Sequence, residues 1–352
     1  MKKRIWPAVA LLFALIAWSL GGCAVTGEET ADTAEYIEGV HPDAAQSGNI
    51  PAKLEAPGRE TAAGDAPQQR EESEEPSAES GNGDAGPPNM APPAEETDET
   101  DPEILRFISY NIGNEQDGNG QPVSARAPLL KEVIDCYQPD VFGVQEAVSE
   151  WRNYLTQYFG GQYDALMQCQ AENEDEAIAV FWRKDRLSCM ESGYFWLSEH
   201  PERPAAGWDG TRPRVCVWAQ LKDLRTGKIF LYYNTQFDTP ETCQIGSVEL
   251  IVKKAAEQGD YPVFCAGNLC VEEQVWGTSY TFWQKGFMLI SQEFSAEPGP
   301  TLHRYQPGGI TADHCFYQEM RSIVEDFKVV DDRPQGGYIS DHYGIYWAIT
   351  LV

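Results

Sequence analysis

From residue 103 to residue 352, short apolar runs alternate with polar breaks that carry glycine and proline. Residues 104–110 read as an apolar strand. Residues 129–137 have helical spacing, and Pro139-Asp140 ends that helix. Residues 141–144 form a short buried strand, and a helix follows over 149–159. Residues 177–182, 215–221 and 229–234 read as strands from their β-branched and aromatic content. A helix is expected over 242–257 and another buried strand over 262–266. Residues 311–317, a stretch around 323–330, and 343–351 close the chain. Runs this apolar are buried on both faces or form the core of two packed sheets. The order predicts a layered α/β or α+β domain with a β-sandwich centre. About 250 residues still fit one domain.

The first 101 residues follow different rules. Met1-Lys2-Lys3-Arg4 is a positive start, residues 5–20 are apolar and uncharged, and small residues lead to Cys23. This is the layout of a secretory signal. Leu20-Gly21-Gly22-Cys23 resembles the lipobox of bacterial lipoproteins. That resemblance implies a signal over 1–22 and a lipid on Cys23, which would anchor the chain to the bacterial cell membrane. The alternatives are an ordinary signal or an uncleaved anchor, although sixteen apolar residues fall short of the about 20 a span needs. Each alternative makes the rest of the chain extracytoplasmic. Residues 24–101 carry 20 acids, 3 bases and one aromatic, Tyr36. Such a segment cannot bury enough surface to offset its ordering entropy. Residues 23–101 therefore read as a disordered, acidic Pro/Ala/Glu-rich linker with an r.m.s. span of about 50 Å.

Charge narrows the partners. The whole chain carries −29. Only the first few residues are basic. Long nucleic acid and anionic lipid surfaces need Lys and Arg against phosphates, so both are disfavoured. A small phosphoester or a lipid head group held by a metal ion remains compatible, and no protein partner is indicated. Eight cysteines follow Cys23: Cys136, Cys169, Cys189, Cys216, Cys243, Cys265, Cys270 and Cys315. An even number in an exported domain permits disulfides. Four of them sit in apolar runs, where free Cys packs as a small hydrophobe. Pairing stays open.

Polar residues recur where apolar strands stop: Asn111, Glu146, Gln236, Asp238, Asn268, Asp313 and Asp341-His342. Each alone is an ordinary turn residue or strand cap. Their order is more telling, and so are the motifs around them. These are Ser109-Tyr110-Asn111-Ile112, Pro139-Asp140-Val141-Phe142-Gly143-Val144-Gln145-Glu146, and Glu176 ahead of Ala179-Val180-Phe181-Trp182. Next come Phe195-Trp196-Leu197-Ser198-Glu199, Arg214-Val215-Cys216-Val217-Trp218-Ala219 and Asn234-Thr235-Gln236-Phe237-Asp238. Last are Pro262-Val263-Phe264-Cys265-Ala266-Gly267-Asn268, Ala312-Asp313 and Ser340-Asp341-His342. In this order they resemble the endonuclease/exonuclease/phosphatase superfamily, the deoxyribonuclease-I-like fold. The resemblance spans nearly all of 102–352. It implies a four-layer α/β sandwich, two packed sheets flanked by helices, and cleavage of phosphate esters with Mg²⁺ or Mn²⁺.

The same resemblance implies roles. Asn111 and Glu146 would hold the metal and its water, with Asp341 as a further metal- or water-orienting carboxylate. Asp313 and His342 would form a carboxylate–histidine pair. Glu176 would stand where a carboxylate orients a second histidine. Three positions depart from the pattern: Gln236 replaces His, Asn268 replaces Asp, and Cys270 replaces Asn. Gln cannot carry a proton at neutral pH, and acid–base help is worth about 10²–10⁴ in rate. Asn268 keeps an oxygen but loses a charge, and Cys270 loses a phosphate-binding amide. Hydrolysis is therefore expected to be weak or altered. The alternative is an inactive lipoprotein that binds a ligand or partner in the old cleft. Glu176, without its histidine, would pair with Gln236 or a basic residue. A softer zinc site from Cys270, His314, Asp313 and His342 is a third reading. It is opposed by the opposite facing of residues 313 and 314 along a strand. His200 and His303 read as loop or surface residues. Asp117-Gly118-Asn119-Gly120 reads as a turn, since the later Glu ligand of a calcium loop is missing.

Overall fold

The computed structural model describes residues 103–270, 276–293 and 299–352. The signal segment, Cys23 and the linker fall outside these residues. In chain order the elements are β1 (Ile104–Asn111), α1 (Val123–Tyr137), β2 (Val141–Ala147), α2 (Ser149–Phe159), β3 (Tyr163–Cys169), β4 (Ala177–Arg183), β5 (Leu187–Trp196), β6 (Val215–Asp223) and β7 (Ile229–Gln236). Then follow α3 (Glu241–Gln258), β8 (Val263–Asn268), α4 (Trp276–Gln284), β9 (Met288–Leu289), β10 (Asp313–Tyr317), β11 (Ser322–Val330) and β12 (Gly344–Leu351).

The strands form two six-stranded sheets, β11-β12-β1-β2-β4-β3 and β5-β6-β7-β8-β10-β9. Three apolar layers follow from strand alternation. On β1, Leu105 and Phe107 face the second sheet, while Ile108 and Tyr110 face α1 and α2. On β6, Val215 and Val217 face inward, while Cys216 and Trp218 join Val248 and Ile251 of α3 and Phe282 of α4. Helices thus cover the outer face of each sheet, giving the expected four-layer α+β sandwich. Burial on both faces is why these strands read as continuous apolar runs rather than alternating ones.

Each sheet contains one parallel pair joined through a helix. β1 and β2 are connected by α1, and β7 and β8 by α3. The carboxyl ends of all four strands carry the polar residues singled out above, namely Asn111, Glu146, Gln236 and Asn268. Open α/β units present their ligand-binding residues at this end. No helix among the described residues is long and apolar enough to cross a membrane. All eight described cysteines are free.

Some elements differ from expectation. α1 begins at Val123, six residues earlier than its helical spacing suggested, because Pro128 lies inside it and breaks the pattern. β3 and β5 were not expected from periodicity. β3 lies at the edge of its sheet and leaves Asp164 and Ala165 exposed. β5 also lies at an edge and exposes Met190 and Glu191. An edge strand has no need of the apolar run that marks a central one. α4 is nine residues with little amphipathic signal.

The centre is aromatic. Phe107 and Trp347 stack across neighbouring strands at 5.2 Å with planes 4° apart, and Tyr232 of the facing sheet lies 6.3 Å from Trp347. Trp347 is fully buried. Trp347→Ala should therefore cost about 3–5 kcal/mol of stability in urea unfolding. A cost below about 1 kcal/mol would show that this contact is not central.

Candidate active-site cleft

The carboxyl end of β2 is shaped by a bulge. Its register against β4 shifts between Val144 and Ala147, and Glu146 has φ +64°. A bulge adds a residue and re-aims the side chain there. Glu146 thereby meets two amides. Asn111 Nδ2 donates to Glu146 Oε1 at 2.9 Å, and Gln236 Nε2 donates to the same oxygen at 2.8 Å. Asn111 Oδ1 is turned away and accepts the Gly113 N–H at 3.0 Å. Gln236 Oε1 is buried without a hydrogen-bond partner among the described residues.

Asn234 crosses the gap between the sheets next to this group. Its Nδ2 donates to the carbonyls of Val144 at 3.0 Å and Ala179 at 2.8 Å. Its Oδ1 accepts from Gln145 Nε2 at 2.7 Å. Gly143 is required beside it, because a Cβ there would come within 2.6 Å of the Asn234 side chain.

Gln236, Asn268 and Asp313 lie side by side on β7, β8 and β10. Gly267 separates these strands' ends with φ +146°, and a Cβ there would strike the Thr235 carbonyl at 1.9 Å. Asp313 Oδ2 faces His342 Nδ1 at 2.7 Å, and both residues are buried. Burial lowers the His342 pKa, but the charge and hydrogen bond of Asp313, helped by Asp341 and Glu146, outweigh it and raise the value. When neutral, the ring keeps its proton on Nδ1, so Nε2 is the group left for a ligand. Asn268 Oδ1 accepts from the Cys270 N–H at 3.2 Å and from its Sγ at 3.1 Å. Burial pushes the Cys270 thiol up to about 12, so it stays protonated. Asp341 is half-buried and accepts from Ser340 Oγ at 3.2 Å.

Several expected residues are engaged elsewhere. Glu176 pairs with Arg212 at 2.9 Å, and the same guanidinium holds Glu174 at 2.9 Å. Of the two partners left open for Glu176, the basic residue takes the place, while Gln236 goes to Glu146. Asp238 accepts the backbone N–H groups of Thr211, Arg212 and Thr239 and anchors a loop. His303 lies in a loop but is buried, 4.1 Å from the Tyr343 ring, which corrects the surface reading; His200 is exposed. Asp117 forms the expected turn, its Oδ1 accepting from the Asn119 N–H at 3.0 Å.

A hard divalent cation needs oxygen ligands. Here Glu146 supplies one carboxylate whose Oε1 already accepts two N–H groups, and Asn111 shows Glu146 its N–H rather than its oxygen. Among the described residues no group of three or more His, Cys, Asp and Glu side chains could hold a metal. The arrangement fits a closed Mg²⁺, Mn²⁺ or Zn²⁺ site poorly. The zinc reading fails specifically because His314 Nε2 turns to the Thr311 carbonyl at 3.1 Å, away from the face of Asp313 and His342.

One residue in the site was not singled out from sequence. Arg214 precedes β6, and the register Cys216↔Thr235 carries it to the level of Gln236–Asp238. It is 8% exposed, and its Nε and Nη1 are buried without a hydrogen-bond partner among the described residues. The only sequence signal was its place at the head of a matching motif.

No protein-family model and no curated protein matches this chain. Solved structures do. An endonuclease/exonuclease/phosphatase family protein from Bacteroides thetaiotaomicron aligns at TM-score 0.65 and 25% identity, over 71% of this chain and 98% of that one. A mannosyl-6-phosphatase from the same organism aligns at TM-score 0.62 and 25% identity, over 70% and 99%. The catalytic domain of human Nocturnin shares the fold at TM-score 0.58 and 17% identity, over 71% and 95%. The fold and these neighbours place the chain in the endonuclease/exonuclease/phosphatase superfamily, a group of hydrolase-like proteins with the deoxyribonuclease-I-like sandwich.

Asn234→Leu should destabilise the chain by at least about 2 kcal/mol, because it leaves two buried carbonyls and Gln145 without their partner. Denaturant unfolding checks this, and a neutral substitution would show that the bridge is dispensable. For His342 the folded pKa is raised, so the native chain binds the proton more tightly. The stabilisation is complete below the unfolded value of about 6.5 and fades as pH rises through the folded value. The His342 ring signal in NMR should titrate above about 6.5, and Asp313→Asn should lower its midpoint. A native midpoint at or below that value would mean burial outweighs Asp313.

Proposed function

We propose that this chain is an extracytoplasmic lipoprotein whose domain binds a small phosphoester in the cleft and hydrolyses it weakly. The carrying observation is the state of Glu146, whose Oε1 is engaged by the amides of Asn111 and Gln236 while the His342–Asp313 pair stays formed. Protonated His342 can donate from Nε2 to a phosphoryl or leaving-group oxygen, and Asp313 orients it. On the opposite side Gln236 can donate a hydrogen bond but cannot accept a proton from water. One half of the acid–base machinery is thus present.

The mannosyl-6-phosphatase neighbour supports a phosphomonoester as the ligand class. The acidic domain disfavours long nucleic acid. The lipobox at 20–23 and the acidic linker support attachment at a cell surface through a lipid on Cys23, with the linker as a tether. A second reading, binding without turnover, is favoured by Asn268 and Cys270, which hydrogen-bond to each other.

The test is hydrolysis of a chromogenic phosphomonoester and phosphodiester with Mn²⁺. It compares the natural chain with the Gln236→His, Asn268→Asp, Cys270→Asn variant. The natural chain should turn over slowly, and the triple variant at least about 100-fold faster. Full activity in the natural chain, abolished by Glu146→Ala, would overturn the reading of an impaired site.

A further inference from the structure

We propose that Arg214 is an oxyanion-holding residue of the cleft that binds the phosphoryl group of a phosphomonoester directly, with no metal ion between them. The inference rests on the reading of the cleft as a phosphoester site and adds the group that recognises the ligand.

The argument begins with charge. A buried guanidinium cannot shed its proton, so it normally sits against a carboxylate or a set of carbonyls. Among the described residues Arg214 Nε and Nη1 have no hydrogen-bond partner, although Asp238 and Glu146 lie near enough to favour its charge. The nearby candidate partners make their hydrogen bonds to other groups. Asp238 is engaged by the backbone of Thr211, Arg212 and Thr239. Glu174 and Glu176 are held by Arg212. Glu146 Oε1 is shared by Asn111 and Gln236. Cys270 carries a neutral thiol turned to Asn268 and the Phe237 carbonyl. Asn268 is neutral. Its position is the one at which the family resemblance calls for an acid.

Location supplies the second part. Arg214 stands at the level of the Gln236–Asp238 strand end, on the side of the cleft that lost its histidine and its acid. His342 supplies a donor from the β12 side. A phosphoryl group between them would face two donors, one permanently charged. Planar guanidinium matches phosphate oxygens better than a point charge does. The three replacements then read together: they remove a proton carrier and a carboxylate, and leave Arg214 Nε and Nη1 as donors for an anion.

The experiment is isothermal titration of the full purified chain with inorganic phosphate in excess EDTA. Parallel arms use sulfate and acetate, and phosphate is repeated with Mn²⁺ in place of EDTA. Phosphate should bind in EDTA, more tightly than acetate. Arg214→Met should weaken it at least tenfold, and Arg214→Lys should retain part of it. The His342 ring signal should move with phosphate in the natural chain, and circular dichroism checks that each variant is folded. Phosphate binding that needs Mn²⁺, or that survives Arg214→Met, would overturn the role of Arg214 while leaving the cleft reading intact. Equal affinity for acetate would overturn the phosphoryl assignment. Absence of phosphate binding with and without Mn²⁺ would overturn both.

Discussion

The polar contacts that cross the cleft from sheet to sheet depend on how one sheet is held against the other, and the Asn234 carboxamide helps to set that spacing. It ties β7 to the carbonyls of β2 and β4 and is itself held by Gln145. An amide with both donors and its acceptor satisfied in a buried layer is costly to displace. Sliding either sheet would break all three bonds. Glu146 follows Gln145 by one residue, and Gln236 follows Asn234 by two. The 2.8 Å contact between Glu146 and Gln236 is therefore a consequence of the bridge, while the β6–β7 register sets the level at which Arg214 stands.

Gln236, Cys270 and Glu176 each have a local hydrogen-bond partner. Gln236 serves as a donor to Glu146, Cys270 bonds Asn268, and Arg212 takes Glu176. A damaged site would leave many such groups unpaired. Among the described residues the buried side-chain atoms without partners that bear on the cleft are few: Gln236 Oε1, Asp313 Oδ1, and Arg214 Nε and Nη1. Two donors and two acceptors grouped in this way suit a bound polar ligand, which supports a binding cleft.

Much of the fold was legible because its central strands are buried on both faces and so appear as apolar runs. β1, β4, β7 and β12 were placed to within two residues. The edge strands β3 and β5 were not, since both leave part of their length open to solvent. Pro128 obscured the first half of α1. The site residues were legible through strand-end position and motif order, and the structure brings Asn111, Glu146 and Gln236 together, with Asp313, His342, Asn268 and Cys270 alongside. Their pairings were not legible. Glu176 goes to Arg212, which lies 36 residues away, and the left-handed Glu146 depends on a bulge that no local pattern marks. Arg214 was missed because an Arg at a strand start usually ends in solvent. Only the tertiary packing shows it buried and unpaired.

The division between core and strand end also means that polar residues at the strand ends can vary without disturbing the fold. Gln236, Asn268 and Asp313 occupy neighbouring strand ends, beyond the aromatic layer built on Phe107, Tyr232 and Trp347. Exchanging His for Gln or Asp for Asn there alters protons and charge but hardly alters volume, and close-packed interiors respond chiefly to volume. The glycines that let the strands approach, Gly143 and Gly267, face Asn234 and Thr235 next to this level. Packing therefore constrains the scaffold tightly and the acid–base groups loosely. A chain under those two constraints can lose a proton carrier without losing the cleft, and the charge balance of that cleft is then set by whichever ionised residues remain.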